Sequence, residues 1–481
     1  MGKDNKEKLT TIYVLVIVGI LPLYFNNYYI DIVTVKKDLF IWSSLIYIAL
    51  YMVITIKELM TSKKIQFAFR KQDVFMILFT FAMIISTIVS KDFEASLLGT
   101  NGRGFGLLIY LLLFLSYLCI SRSFRLQSIV IIVALLSGGV IALLAILNAF
   151  YLDPLGFFTR MTNIVYIESF YSTIGNVNFL VSYFSIVASL TIATYFITKQ
   201  MILKYISYIA SVLLLSACFL VNSEMAMIVV ALQFVLSVIM MVKIERNVDD
   251  WAYLWISVLG IVKLMFLLIR NNYINVKPLS FLACTLMDSV VVYLLMVLLI
   301  SLLVLNKFHS KLVKKIWNSR KQLTYGVIFL VCGIGIFLFI NIGKIQALEI
   351  DNNRIDFWGK SLKGFTQFSV EEKLFGYGLE LYNKFAINKL GWEYVNWDSA
   401  HNEFLQYLIT TGIMGLSTYL LLVGNSIREA VKKKETWIIL GAVVNYLIIS
   451  FSNMAQFVST PIFFVLLFSL SAMSHLKKET G

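Results

Sequence analysis

The sequence is poor in charge. Only 14% of its 481 residues are Asp, Glu, Lys or Arg, while 59% are hydrophobic, and a soluble domain carries about 25% charged residues. A soluble enzyme is excluded. Proline is scarcer still, with 4 in the whole chain, which rules out a disordered or linker-rich protein. The 4 cysteines all fall inside apolar runs and none has a partner at metal-ligand spacing, so no disulfide framework or zinc site is implied. There is no GxxxxGK[ST] phosphate loop and no Asp-x-Asp pair, which leaves no sign of ATP-driven transport or of a metal-held nucleotide sugar. Chemistry without ATP, metal or cofactor is expected. The net charge of +14 sits in short basic clusters between apolar runs. That is how cytoplasmic loops of membrane proteins look, not a nucleic-acid surface.

What is present in quantity is apolar sequence in span-length pieces. Fourteen runs lie near 9–25, 38–56, 73–90, 105–120, 127–149, 177–197, 205–221, 225–242, 251–269, 281–305, 323–343, 403–424, 436–452 and 456–474. A membrane-crossing helix needs about 20 apolar residues, so the expected fold is an all-α polytopic membrane protein with about 14 transmembrane helices. Met1–Lys8 is basic and the apolar stretch after it lacks a small-residue cleavage site, so it reads as a retained first span. Lys and Arg concentrate in alternate connectors, which places both termini in the cytoplasm.

The expected organisation is a membrane domain over 1–343, a long outside loop over 344–402, and a second membrane segment with a cytoplasmic tail over 403–481. Within the loop, Ile355, Trp358, Leu362 and Phe365 recur at helical spacing with Lys360 and Lys363 opposite. That pattern suits a helix lying along the outer membrane surface. Lys263 and Asp288, in consecutive antiparallel spans, read as a mutually neutralising pair.

Histidine is rare enough to be informative. Of the 3, His309 and His475 fall in basic cytoplasmic segments, and only His401 lies outside, in Asp398-Ser-Ala-His401-Asn402-Glu403. Asp398 or Ser399 can cap the helix that follows, which places His401 in its first turn, where the helix dipole disfavours imidazolium. Such a neutral imidazole fits a general base, and equally fits a capping or interfacial histidine. Arg354 fits a diphosphate ligand through forked hydrogen bonds, or an interfacial arginine on lipid phosphate. Arg103, in Gly99-Thr-Asn-Gly-Arg103-Gly104, and Arg160 are further outside arginines. Trp392, Tyr394 and Trp397 suit interfacial anchoring or stacking on sugar rings.

Several segments in order resemble the O-antigen ligase/polymerase superfamily. They are Arg354-Ile-Asp-Phe-Trp358, Leu374-Phe-Gly-Tyr-Gly378, Ala400-His401-Asn402-Glu-Phe-Leu-Gln406 and Thr411-Gly412-Ile-Met-Gly415. Upstream, Ser172-Thr-Ile-Gly175-Asn176-Val-Asn178 and Ala95-Ser-Leu-Leu-Gly99 with Arg103-Gly104 are similar to further segments of its members. The resemblance implies a GT-C-like membrane glycosyltransferase. Such an enzyme transfers or polymerises glycan from an undecaprenyl-diphosphate donor to a hydroxyl of an acceptor glycan, lipid or wall polymer, at the outer face of a bacterial plasma membrane. It implies His401 and Arg354 as catalytic residues, and Asn176, Asn178, Asn402, Gln406 and Trp358 as substrate-binding residues, a set that Arg103, Arg160 and Trp397 join from their place in outside loops.

There are two departures. Val221-Asn-Ser-Glu224 has glutamate where the family carries an arginine, and Thr410 stands where a glutamate usually precedes Thr-Gly-Ile. The rival reading is a lipid-linked oligosaccharide flippase or other secondary transporter, which would show broken helices and polar groups near the midplane. The concentration of polar and aromatic residues in one outside loop favours the enzyme.

Overall fold

The computed structural model describes residues 2–62, 69–100, 102–244, 248–308, 349–391 and 398–475. The eleventh apolar run (323–343), His309, Cys332, Trp392, Tyr394 and Trp397 lie outside the described residues. Among the described residues, ten helices are long and apolar enough to cross a membrane, and two shorter apolar helices, Leu107–Ser123 and Thr460–His475, accompany them. A further helix, Gly2–Leu15, runs through a π turn at Val16–Ile20 to Leu23. Strand is confined, among the described residues, to Phe170–Tyr171 paired antiparallel with Gly175–Asn176. The chain is an all-α polytopic membrane protein.

It folds as two compact units. The first comprises Met1–Asn26, Asp31–Val130 and Ile350–Gly481. Here the Glu403–Ala430 helix packs along Lys71–Ile88, and polar side chains buried between apolar helices are tied to one another. Gln72 Nε2 donates to the Leu422 carbonyl at 2.9 Å and to Ser426 Oγ at 2.5 Å. Asp73 accepts from Tyr117 Oη at 2.5 Å and from the Arg122 guanidinium at 2.7 Å. In an apolar surrounding these groups have no water to turn to, so pairing within the protein is what makes them tolerable.

The second unit comprises Asn27–Ile30 and Ile131–Glu349. Its central helix, Val177–Ile197, is buried on every face from Phe179 to Phe196, with Met201–Leu220 and Glu224–Ile244 packed against it. Gln233 Nε2 donates to Ser189 Oγ at 3.0 Å across that contact.

Two expectations are corrected here. The run 281–305 is not one helix but two, Phe281–Asp288 and Val290–Phe308, with Ser289 extended between them. The neutralising pair is also wrong. Lys263 Nζ donates to the Met287 carbonyl at 2.6 Å, and Asp288 pairs with Arg270 at 3.2 Å. A helix break leaves backbone carbonyls without intrahelical donors. The ammonium satisfies one of them, and the exposed carboxylate turns to the arginine. Glu224 finds a use at the start of the first half: its carboxylate accepts from the Phe281 and Leu282 N–H at 2.8 and 3.1 Å, capping that helix.

Candidate functional site

The described part of the long loop folds into a helical cap within the first unit. Its helices are Glu349–Thr366, Val370–Phe375 and Tyr382–Leu390. The second starts on a capping box, with Glu372 N–H donating to Ser369 Oγ at 3.1 Å and Ser369 N–H to Glu372 Oε2 at 3.0 Å. Phe357, Phe368, Tyr377, Leu381, Tyr382 and Phe385 form the core of the cap. The helix Glu349–Thr366 buries one side against this core. Phe357 and Ser361 are buried, Trp358 and Phe365 are partly buried, and Ile355 and Leu362 are exposed. The cause is tertiary: the helix packs on the rest of the cap, and Ser361 Oγ meets Tyr382 Oη in that contact.

The cap is fastened to the membrane helix by two glycine motifs that interlock. Gly412 adopts φ 68° and ψ −170° inside Glu403–Ala430, so the helix is broken there. The carbonyls this exposes are taken by the cap's own backbone. Tyr377 N–H donates to the Ile409 carbonyl at 2.9 Å and Gly378 N–H to that of Thr410 at 3.0 Å. Ser86 Oγ adds a second donor to the Thr410 carbonyl at 2.8 Å. The approach is too close for side chains. A Cβ on Gly376 would lie 2.3 Å from the Thr410 carbonyl carbon, and one on Gly412 would lie 2.4 Å from that of Leu374. The carbonyl of Thr410, where the family's glutamate was expected, thus serves as an acceptor in this joint.

Above the joint stands His401. It does not sit in the first turn of the helix, as its sequence context suggested. The helix begins at Glu403, and its cap is Asn402, whose Oδ1 accepts the Leu405 N–H at 3.0 Å. Asp398 is drawn instead to Arg103, with Nε to Oδ2 at 2.8 Å, and Ser399 Oγ to the Met454 sulfur at 3.2 Å. His401 itself has φ +48°, a left-handed conformation that costs a non-glycine residue about 1–3 kcal/mol and persists only where its surroundings enforce it. Here Ala400 is held from both sides. Its N–H donates to Gln406 Oε1 at 2.9 Å, and its carbonyl accepts Trp358 Nε1–H at 2.9 Å.

Burial pushes the His401 imidazole down to a pKa of about 3, and the positive charges of Arg354 and Arg103 push in the same direction. The imidazole is neutral, as expected, but burial and two guanidiniums are the cause rather than a helix dipole. Arg354 is steadied by a bond from Nη1 to the Ser452 carbonyl at 3.0 Å. The loop carrying Arg103 is gripped by Glu380, a buried carboxylate that takes the Gly104 N–H at 3.0 Å together with the backbone N–H groups of Arg103 and Phe105. Desolvation raises the Glu380 carboxyl to about 7. Sequence reading missed Glu380, because a glutamate in Leu379-Glu-Leu carries no motif of its own. It also missed Glu403, whose carboxylate accepts from Tyr446 Oη at 3.0 Å and Tyr419 Oη at 3.3 Å.

The structure therefore brings His401, Arg354, Arg103, Trp358, Asn402 and Gln406 into one neighbourhood, the last three as struts of the histidine turn. Trp397 lies outside the described residues. The other three belong to the second unit. There Asn176 caps Val177–Ile197 by accepting the Asn178 N–H at 2.8 Å, and the Arg160 guanidinium lies 3.8 Å from the Tyr28 ring centroid.

No curated protein matches the chain. The family model described as O-antigen ligase matches residues 209–420, a span that takes in Arg354, both glycine motifs and His401. Through residues 209–420, the chain is similar to the O-antigen ligase family.

Proposed function

We propose that this protein is a metal-independent, inverting glycosyltransferase of the outer face of a bacterial plasma membrane. Its donor is an undecaprenyl-diphosphate glycan, and its product a transferred or polymerised surface polysaccharide. The observation that carries the reading is a neutral imidazole at His401, held in a strained turn between two guanidiniums. In the reaction, the acceptor oxygen attacks the anomeric carbon and the glycosyl–diphosphate bond breaks. The hydroxyl proton passes to His401, and the charge gathering on the departing diphosphate is met by Arg354 and Arg103, an electrostatic role that is often the largest catalytic contribution. The two arginines also tune the base. In the free protein they suppress its proton affinity. A bound diphosphate offsets their charge, so His401 gains some base strength with the donor in place, while burial, the larger cause, continues to hold it down.

The transporter reading gains something from the breaks at Gly412 and Ser289, since transporters bind substrate at broken helices. Both breaks, however, have carbonyls satisfied by protein donors: Tyr377, Gly378 and Ser86 at the first, Lys263 at the second. The test is transfer by the purified protein from a fluorescent undecaprenyl-diphosphate oligosaccharide in the presence of EDTA. Longer or transferred glycan with release of undecaprenyl diphosphate is the expected result. No product, with the same lipid flipped across liposomes, would replace the enzyme with a transporter.

A further inference from the structure

A second cation rests against the Arg103 loop. Lys37 lies near the start of the Ile32–Ser62 helix and is half-buried. Its Nζ is 3.1 Å, and its Cδ 3.3 Å, from where a Cβ on Gly104 would stand. Gly104 has φ +87°, so both backbone and space demand glycine there, and its bare α-carbon is what lets the ammonium approach the chain. The floor beneath is apolar. Phe457 comes within 3.3 Å of the same point, stacks on Phe105 at 4.3 Å between centroids, and has Phe40 at 6.0 Å. Lys37 makes no hydrogen bond or ion pair with any described residue.

The acidic groups of the neighbourhood are already committed. Asp398 pairs with Arg103, and Glu380 holds the loop's backbone N–H groups. An ammonium that rests against this loop with no carboxylate bound to it is open to an arriving anion.

We propose that Lys37 is a ligand of the donor's diphosphate, acting with Arg103. The proposal rests on the donor class inferred above. An ammonium suits this task, because it meets phosphate oxygens as a point charge and tolerates more than one approach, whereas the guanidinium fixes orientation. The same phosphate chemistry is offered by an anionic phospholipid headgroup, so the experiment separates the two.

Binding of undecaprenyl diphosphate and of phosphatidylglycerol would be measured for the wild type and for Lys37→Met, Lys37→Gln and Lys37→Arg, each checked by thermal unfolding. The expected result is a loss of about tenfold in undecaprenyl-diphosphate affinity in the neutral variants, the size of one charge-assisted contact. Arginine should restore most of it, phosphatidylglycerol binding should not change, and in transfer assays the donor KM should rise. Wild-type affinity in both neutral variants, or a loss confined to phosphatidylglycerol, would overturn the proposal. Lys37-dependent diphosphate binding without any transfer would leave this site standing and remove the proposed function. Transfer with an unchanged donor KM in the neutral variants would do the reverse.

Discussion

At the scale of single residues, the proposed chemistry depends on a histidine whose proton affinity is lowered by burial and by two arginines. His401 was legible from scarcity, being the one histidine outside the basic segments, but its exact seat was not. Asp398, Ser399 and Asn402 are all good capping residues, and the sequence cannot choose among them. The choice falls to Asn402 because Asp398 is taken by Arg103 and Ser399 by Met454. The pH dependence follows from two shifts of opposite sign. His401, lowered from 6.5 to about 3, is already unprotonated throughout pH 5–8 in the free protein, so it imposes no acid limb on kcat/KM there. Glu380, raised from 4.5 to about 7, gains a proton as pH falls through neutrality and loosens its hold on the Arg103 loop. Since kcat/KM reports groups of the free enzyme, it is expected to decline below about pH 7 in the wild type, and the decline should vanish in Glu380→Gln. A wild-type limb that survives in that variant would show that another group is responsible.

At the scale of elements, the two glycine motifs were visible as patterns, while the reason for them was not. Gly376-Tyr-Gly378 and Thr411-Gly412 lie far apart in sequence and meet only because the cap's backbone supplies donors to a broken helix. No periodicity encodes that contact. The same limit explains the amphipathic helix. Spacing gave the helix around Arg354, but the side it buries in the cap, with Phe357 and Ser361, is selected by the rest of the cap, while Ile355 and Leu362 stay exposed. Gly412→Ala and Gly376→Ala would each force a Cβ to within about 2.4 Å of backbone carbonyl atoms in a left-handed conformation. A loss of several kcal/mol is expected, at the top of the range for single substitutions. Thermal unfolding in detergent should show it as a large fall in Tm, and unfolding temperatures near wild type would disprove the interlock. Trp358→Phe is subtler. It removes the bond to the Ala400 carbonyl, worth about 1 kcal/mol in stability, but frees the turn that positions His401. Transfer rate should fall by tenfold or more, while Tm moves by a few degrees.

At the scale of the whole molecule, composition sufficed for the class. Apolar runs of span length found the helices because burial in lipid leaves the backbone no alternative. What composition could not supply was continuity: a run such as 281–305 looks uniform, yet Ser289 divides it, since a break costs little when a neighbouring lysine and the Ser289 hydroxyl satisfy freed groups. The division into two compact units, with His401, Arg354 and Arg103 all in the first, was likewise not written in the order of the segments, because that unit is assembled from both ends of the chain.

The most direct test of the central claim is single-turnover transfer from an undecaprenyl-diphosphate oligosaccharide by wild type, His401→Ala and Arg354→Ala, with each variant shown to bind the donor and to unfold near the wild-type temperature. The account predicts that the rate falls by about 10²–10⁴ without His401, as for a lost general base, and by about 10²–10³ without Arg354, as for a lost charge-stabilising donor. Transfer at the wild-type rate by a folded, donor-binding His401→Ala protein would contradict it.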